Sequence, residues 1–313
     1  MQKQKIIKPL FKYIGGKSWL RDELRKEIGI SLANKKLTIY VEPFAGGLGS
    51  FLSVYDVLVE NGVKSVKLSD INFCLINTYK YIMSDAKGLT SALLLLENKF
   101  LSSVPNDWNT SKDKEEIKNK LALADAVFRS VKKDFNLNKN SNSLEQSARL
   151  IFLQKHSFNG VYRENLKGEY NTPFNWSGNT MQDTIGARID ELSEVFKSFD
   201  IEFIHTSYEG VVYNNESLYY LDPPYINENI GENKYNKDEF GLKEQLDLID
   251  RLGGLSFVYS NHYSEILLET FKKKSEISVR KVNRKNIMSA SAESRKTDSV
   301  EMLVSSVIKP EAQ

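Results

Sequence analysis

The apolar run Leu218-Tyr219-Tyr220-Leu221 stops at Asp222-Pro223-Pro224-Tyr225, and this junction limits the fold more than any other stretch. A short run that is apolar at every position, bounded by turn residues, reads as a buried strand. Pro224 has no N–H for a sheet ladder, and the paired prolines stiffen the backbone that follows. A rigid turn at the carboxyl end of a sheet strand is where open α/β folds bind ligands. Asp222 supplies an acceptor at the strand end, the carbonyls of Pro223 and Pro224 supply two more, and Tyr225 supplies a flat face. That set suits an exocyclic amino group on a nucleobase, which has two N–H bonds to satisfy and a ring to stack. Acceptors on such an amine draw its lone pair out of conjugation and turn it toward an electrophile. The plainer reading of these four residues alone is a proline-rich surface turn.

An α/β fold needs a second ligand-binding turn, and the chain has one. Residues 37–41 form a short β-rich run, followed by Glu42-Pro43-Phe44-Ala45-Gly46-Gly47-Leu48-Gly49-Ser50 and an apolar helical stretch over 51–58. Strand, Gly-rich turn and helix make the nucleotide-binding half of a βαβ unit. A second strand over 63–68 leads to Asp70, an acidic residue placed to suit a ribose diol. The glycines are spaced Gly46-Gly47-x-Gly49 and not G-x-G-x-x-G. That spacing favours a ligand without a pyrophosphate, such as a sulfonium amino-acid nucleoside, over the dinucleotide of a dehydrogenase. Nearer the start, Tyr13 precedes Gly15-Gly16 and Lys17 follows them, a cradle for a zwitterionic small molecule; Ser18 is placed to cap a helix over 19–28.

From residue 86 the pattern becomes helical. Leu89, Ala92, Leu93, Leu96 and Phe100 fall at helical spacing, as do Ile117, Leu121, Ala124, Phe128, Val131 and Phe135, and both stripes read as core. Ser143 and Gln146 have capping-box spacing and open a helix over 144–155. Residues 156–174 lack either period and interleave aromatics (Phe158, Tyr162, Tyr170, Phe174), cations (Arg163, Lys167) and amides (Asn159, Asn165, Asn171). A segment this long inside a domain is usually functional, and these side chains read base edges, grip phosphates and fill a stack. An Ω-loop closed by its own polar contacts is the competing reading. Thr180 is placed to open a further helix, and strands are expected at 201–204, 255–259, 277–282 and 300–308, with helices at 242–252 and 263–273. Residues 226–239 look like a lid. Lys272, Lys273, Lys274, Arg280, Lys281, Arg284, Lys285, Arg295 and Lys296 make the densest cationic region.

Composition removes several classes. Among 313 residues the formal net charge is only +2, so a nucleic-acid surface must come from local clustering. A single cysteine, Cys74, excludes an internal disulfide, and three scattered histidines argue against a metal site. The basic start lacks the apolar segment of a secretion signal, and no apolar run approaches the ~20 residues of a membrane span. The chain reads as cytoplasmic.

Taken in order, these segments resemble the DNA adenine-N6 methyltransferases of the Dam family over nearly the whole chain. Phe11-Lys12-Tyr13-Ile14-Gly15-Gly16-Lys17 is similar to the family's amino-terminal cofactor motif, with Tyr13 where Trp is common. Val41-Glu42-Pro43-Phe44-Ala45-Gly46-Gly47 resembles its methionine-side motif, and Ser69-Asp70-Ile71-Asn72 its ribose motif. Phe158-Asn159-Gly160-Val161-Tyr162-Arg163, continuing through Gly168-Glu169-Tyr170-Asn171-Thr172-Pro173-Phe174, resembles its DNA-reading segment, and Asp222-Pro223-Pro224-Tyr225 its catalytic motif.

The resemblance implies a Rossmann-like, S-adenosylmethionine-dependent α/β sheet (residues 1–85 and 200–313) with an inserted, mainly helical target-recognition domain (86–199). It implies that Tyr13, Lys17, Glu42, Phe44, Ala45, Gly46, Gly47, Asp70, Ile71 and Asp222 hold the cofactor. Asp222, Pro223, Pro224 and Tyr225 would hold an adenine flipped from duplex DNA, in GATC or a related short site. Lys12, Phe158, Asn159, Val161, Arg163, Asn165, Lys167 and Pro173 would contact the DNA. Double-stranded DNA is the implied partner, a paired restriction endonuclease a candidate one, and a monomer of bacterial or phage origin the expected form. Asn175-Trp176-Ser177-Gly178 departs from the Gly-Lys or Gly-Arg turn common in the family, which leaves the recognition sequence open. Cytosine N4, RNA adenine or a protein glutamine would suit the same catalytic turn, and an inactive DNA-binding relative is a further alternative.

Overall fold

The structure, a computed structural model, describes residues 7–12, 20–108, 110, 113–176, 184–225, 240–284 and 299–307. They form seven strands, β1 (Ile39–Glu42), β2 (Ser65–Asp70), β3 (Asp200–His205), β4 (Ser217–Leu221), β5 (Ser256–His262), β6 (Ile277–Arg284) and β7 (Ser299–Ser306). The helices are α1 (Arg21–Lys35), α2 (Gly49–Glu60), α3 (Phe73–Ser84), α4 (Ala86–Leu101), α5 (Lys114–Lys120), α6 (Ala122–Leu137), α7 (Leu144–His156), α8 (Ile185–Phe196), α9 (Leu242–Arg251) and α10 (Glu265–Lys274). Among the described residues no helix is long and apolar enough to cross a membrane.

The chain divides into two compact units. One holds residues 17–45, 53–71 and 199–313, and with them the whole sheet. Strand order is β3-β2-β1-β4-β5-β7-β6, parallel throughout except for β7, which runs against both of its neighbours. The order reverses between β1 and β4, which places the switch point, and hence the ligand crevice, at their carboxyl ends. β4 lies between β1 and β5, and all five of its residues are buried, which is why its sequence runs apolar without alternation. The core beneath it joins Val41, Tyr219, Leu221, Phe257 and Tyr259 to Leu248 and Ile249 of α9 and Leu267 and Phe271 of α10. α1 carries one buried acid, Glu27, which accepts from Arg280 Nη2 at 2.6 Å and from Ser305 Oγ at 2.9 Å.

The other unit holds residues 1–16, 46–52 and 72–198 and is helical. α4 packs on α7 and α8, and its core is aromatic: Phe100 lies 5.7 Å from Phe152 and 5.9 Å from Phe174. Side-chain caps set the helix starts: Asn72 Oδ1 accepts from Leu75 N, Asp85 Oδ1 from Gly88 N, and Ser143 Oγ from Gln146 N.

Several elements differ from the sequence expectations. The apolar stripe over 117–135 is broken at Leu121 into α5, which buries nothing, and α6. α1 runs on to Lys35, where Lys36 turns left-handed (φ 50°) and its N–H closes on Leu32 O. β5 continues past Tyr259 to His262, because Ser260, Asn261 and His262 pair with Leu303, Met302 and Glu301 of β7. α3, capped by Asn72, has no counterpart among the sequence expectations. The lid at 226–239, the Thr180 cap and most of the basic stretch after residue 284 lie outside the described residues.

Replacing Glu27 by Ala leaves the Arg280 and Ser305 donors without their acceptor in a site they share with α1. A loss of about 1–3 kcal/mol in urea unfolding is expected. A change below about 0.5 kcal/mol, the level of an ordinary surface substitution, would contradict the role given to this pair.

Candidate active site

β4 ends one residue before Asp222, and the parallel register that pairs Leu221 with Tyr259 brings Asp222 level with Ser260 on β5. Ser260 Oγ donates to Asp222 Oδ1 at 3.0 Å. Tyr220 OH lies 3.0 Å from the same Ser260 oxygen. Because a carboxylate only accepts, the serine proton goes to Asp222 and the tyrosine proton to Ser260. The turn beyond is held from two other elements. Pro224 O accepts from Gln245 Nε2 of α9 at 2.8 Å, and Tyr225 OH donates to Glu301 Oε2 of β7 at 2.8 Å. The Tyr225 ring stands edge-on to His262, 4.3 Å between centroids. Burial first, then the Asp222 and Glu301 charges, drives the Tyr225 hydroxyl far above its ordinary pKa, so it stays a donor at any physiological pH.

Two further carboxylates stand at neighbouring strand ends. Glu42, the last residue of β1, is 1% exposed and accepts from Tyr40 OH at 2.8 Å. Burial raises its pKa well above the ordinary carboxylate range; the Tyr40 bond opposes this, and the charges of Asp222 and Asp70 add to it. Asp70, at the end of β2, is buried, while Ile71 beside it is 74% exposed. Phe44 packs a half-buried ring on the fold, 6.0 Å from Tyr208 and 5.4 Å from Phe240. Ala45 N donates to Ser69 O at 2.9 Å, tying the turn after β1 to the end of β2. Of the expected residues, this unit therefore gathers Glu42, Phe44, Ala45, Asp70, Ile71 and the Asp222–Tyr225 turn along one edge of one sheet.

The helical unit carries the others. Gly46 has φ 44°, a conformation that resists a side chain, and its carbonyl accepts from Tyr79 OH at 2.6 Å; Gly47 follows it, buried. Lys12 is exposed and forms an isolated parallel bridge with Val161. The aperiodic segment is a hairpin-like loop. Bridges pair Ser157 with Phe174 and Glu164 with Tyr170, and Phe158 N donates to Pro173 O at 2.9 Å. Its aromatics divide by burial: Tyr170 and Phe174 are core anchors, whereas Phe158 is 56% exposed. Asn159 is left-handed (φ 58°) and exposed beside it. Asn165 is committed to its own turn, accepting from Lys167 N and Glu169 N and donating to Glu169 Oε2. Arg163 Nε donates to Asn171 Oδ1 at 2.7 Å. Lys167 and Pro173 are exposed. The segment therefore closes on itself and presents Phe158, Asn159, Arg163 and Lys167 outward.

Tyr13 and Lys17 lie outside the described residues. Among the described residues, four of the carboxyl-terminal cations are engaged: Arg280 binds Glu27, Lys274 binds Asp250, Lys272 binds Glu269, and Lys281 lies over the Tyr263 ring. Sequence reasoning missed Ser260, Gln245 and Glu301. Glu301 alone left a signal, an acid inside the apolar run Val300-Glu301-Met302-Leu303-Val304.

A mostly parallel seven-stranded sheet with its switch point at β1/β4 and acidic residues at successive strand ends defines an α/β protein of the methyltransferase class. Residues 13–296 match the family model of the D12 class N6 adenine-specific DNA methyltransferases, and the chain belongs to that family. It is an adenine-specific DNA methyltransferase. Similar proteins include the type II methyltransferase M.MjaIII of Methanocaldococcus jannaschii, 29% identical over 95% of this chain and 98% of its own length. The type II methyltransferase M1.LlaDCHI of Lactococcus lactis is 25% identical over 94% of each chain. The DNA adenine methylase of Haemophilus influenzae is 26% identical over 84% of this chain and 82% of its own.

The Glu42 environment has a consequence for stability. A carboxyl whose folded pKa exceeds its unfolded one binds a proton on folding, so its contribution is fully present below the unfolded value and is lost as pH rises toward the folded one. Glu42→Gln removes that loss. The stability of the variant relative to the parent, without ligand, should therefore grow as pH rises above the range in which an unfolded glutamate carboxyl titrates. Thermal melts from that range upward test it; a difference independent of pH would contradict it.

Proposed function

We propose that this protein transfers the methyl group of S-adenosylmethionine to N6 of an adenine flipped out of duplex DNA, within GATC or a related short site. The observation that carries this reading is the anchored carboxylate of Asp222, held by Ser260 at the switch point of the sheet beside a turn whose carbonyl and aromatic ring are each fixed by a separate hydrogen bond.

The donor set suits this cofactor. Glu42 is a buried carboxyl crowded by Asp222 and Asp70, and a cationic group placed there would relieve it. Asp70 is an acceptor for ribose hydroxyls, and exposed Ile71 beside it offers an apolar face. The backbone from Phe44 to Gly47 would carry the methionine side, with Tyr13 and Lys17 completing the set. When bound, S-adenosylmethionine supplies an electrophilic methyl on a cationic sulfur.

The protein's own residues do the rest. Extruding the adenine costs a few kcal/mol of stacking and pairing, which DNA contacts must offset. Phe158 would fill the gap in the duplex. Lys12 from the amino-terminal segment, and Asn159, Val161, Arg163, Asn165, Lys167 and Pro173 from a target-recognition segment spanning residues 86–199, would contact bases and phosphates around it. Asp222 and the Pro223 carbonyl accept the two N–H bonds of the amine, and Tyr225 stacks on its ring. Much of the rate comes from holding two reactants in one geometry. No base is needed before attack, because the amine proton becomes acidic only once nitrogen carries the methyl; Asp222 is then beside it to accept. A paired restriction endonuclease is the proposed functional partner, and the enzyme acts as a cytoplasmic monomer.

Asp222→Ala should lower methyl transfer to duplex DNA by at least about 10²–10³-fold while the thermal melt stays two-state. Nucleoside mass spectrometry of the parent reaction should yield N6-methyladenine. Retained activity in the variant, or N4-methylcytosine as the product, would overturn the assignment. Sequencing the modified DNA would give the site.

A further inference from the structure

α9 packs an amphipathic face on the sheet, and one of its inward residues is polar. Gln245 is fully buried, at 0% exposed. Its Nε2 donates to Pro224 O at 2.8 Å, and its Oε1 accepts from Tyr259 OH at 2.5 Å. The Tyr259 oxygen accepts from Asn261 Nδ2 at 2.8 Å, and Asn261 Oδ1 accepts from the backbone N–H of His262 at 2.8 Å. The first donor in this chain is a backbone N–H, which cannot accept. Asn261 must therefore turn its NH2 to Tyr259, Tyr259 must send its proton to Gln245, and Gln245 must turn its NH2 to Pro224. Burial raises the Tyr259 pKa, so its hydroxyl remains a donor throughout. Every orientation in the chain is fixed from β5.

The Pro224 carbonyl is met by a donor whose own orientation is fixed, and that bond orients it. Both prolines have φ fixed by their rings, and Asp222 and Pro223 each precede a proline and are restricted to extended ψ. Of the φ and ψ torsions of the two prolines, only ψ of Pro224 is left soft, and it sets the course of the backbone into Tyr225. The direction of the Pro224 carbonyl reports that torsion, and Gln245 holds the carbonyl.

We infer that Gln245 is a positioning residue for methyl transfer: from α9 it holds the Pro224 carbonyl, and with it the unrestricted ψ of Pro224, and so helps set the plane that Tyr225 offers to the base. The inference rests on the proposed function. Glu301 holds the far end of the same ring through its hydroxyl. Two fixed ends make Tyr225 a preformed platform, and loss of the Gln245 bond frees one of them.

Two variants separate positioning from packing. Gln245→Met keeps the length and the apolar stem and removes both hydrogen bonds. Gln245→Glu keeps the acceptor for Tyr259 but sets a carboxylate oxygen against the Pro224 carbonyl; once protonated, that oxygen donates as the amide does. Single-turnover methylation of duplex DNA should fall on the order of 10–100-fold in Gln245→Met, with the dissociation constant for S-adenosylmethionine within about twofold of the parent. Relative to the parent, Gln245→Glu should be similarly slow near pH 8.5 and recover as pH falls toward about 6, which Gln245→Met should not. This pH reversal is read within one folded sample, so it holds even if Gln245→Met folds poorly. A near-parental rate in Gln245→Met, or a Gln245→Glu rate that tracks Gln245→Met at every pH, would overturn the inference while leaving the proposed function standing. A parent chain with no methyl transfer to DNA would overturn both.

Discussion

The hydrogen bond from Ser260 to Asp222 is the contact on which the site depends. It exists because β4 is paired on both sides and cannot slip: β1 fixes it through Tyr40 opposite Leu218, and β5 through Tyr259 opposite Leu221. A one-residue shift on either side would turn every side chain of the strand over and take Asp222 out of level with Ser260. The register thus places a serine hydroxyl level with the carboxylate, and Tyr220 behind the serine fixes the direction of its proton. The prolines do the complementary work, ending the ladder and leaving the turn little freedom to relax. A carboxylate held this way loses little further entropy on binding a substrate amine, the condition for presenting a lone pair in one direction.

The same sheet edge concentrates negative charge. Glu42, Asp70 and Asp222 close three strands of one sheet, and burial makes ionisation of Glu42 costly. In water three carboxylates would repel weakly; at a buried strand end the repulsion and the desolvation act together. Tyr40 and Tyr225 remain protonated beside these groups and serve as donors.

Much of this was legible in the sequence where the physics is local. The buried strand, the proline stop and the glycine turn each follow from a few consecutive residues, and the Ser143 cap forms as its spacing predicts. What was hidden depends on residues far apart in the chain. β5 extends to His262 only because β7 arrives some forty residues later to pair with it, and that pairing brings Glu301 under Tyr225. Gln245 looks like any polar residue on an amphipathic helix until the fold turns it inward. In the segment at 156–174 composition alone could not separate anchoring aromatics from presented ones; burial does, with Tyr170 and Phe174 inside and Phe158 outside. α3 went unseen because its cap, Asn72, belongs to the same Ser-Asp-Ile-Asn stretch that was assigned to ribose.

The central claim is that Asp222 meets the target amine directly. A crystal structure of the protein with duplex DNA and a non-reactive amine analogue of S-adenosylmethionine measures this. The account predicts an extruded adenine with N6 about 3 Å from both an Asp222 carboxylate oxygen and the Pro223 carbonyl. An adenine bound in the pocket with Asp222 turned away from its amine would contradict it.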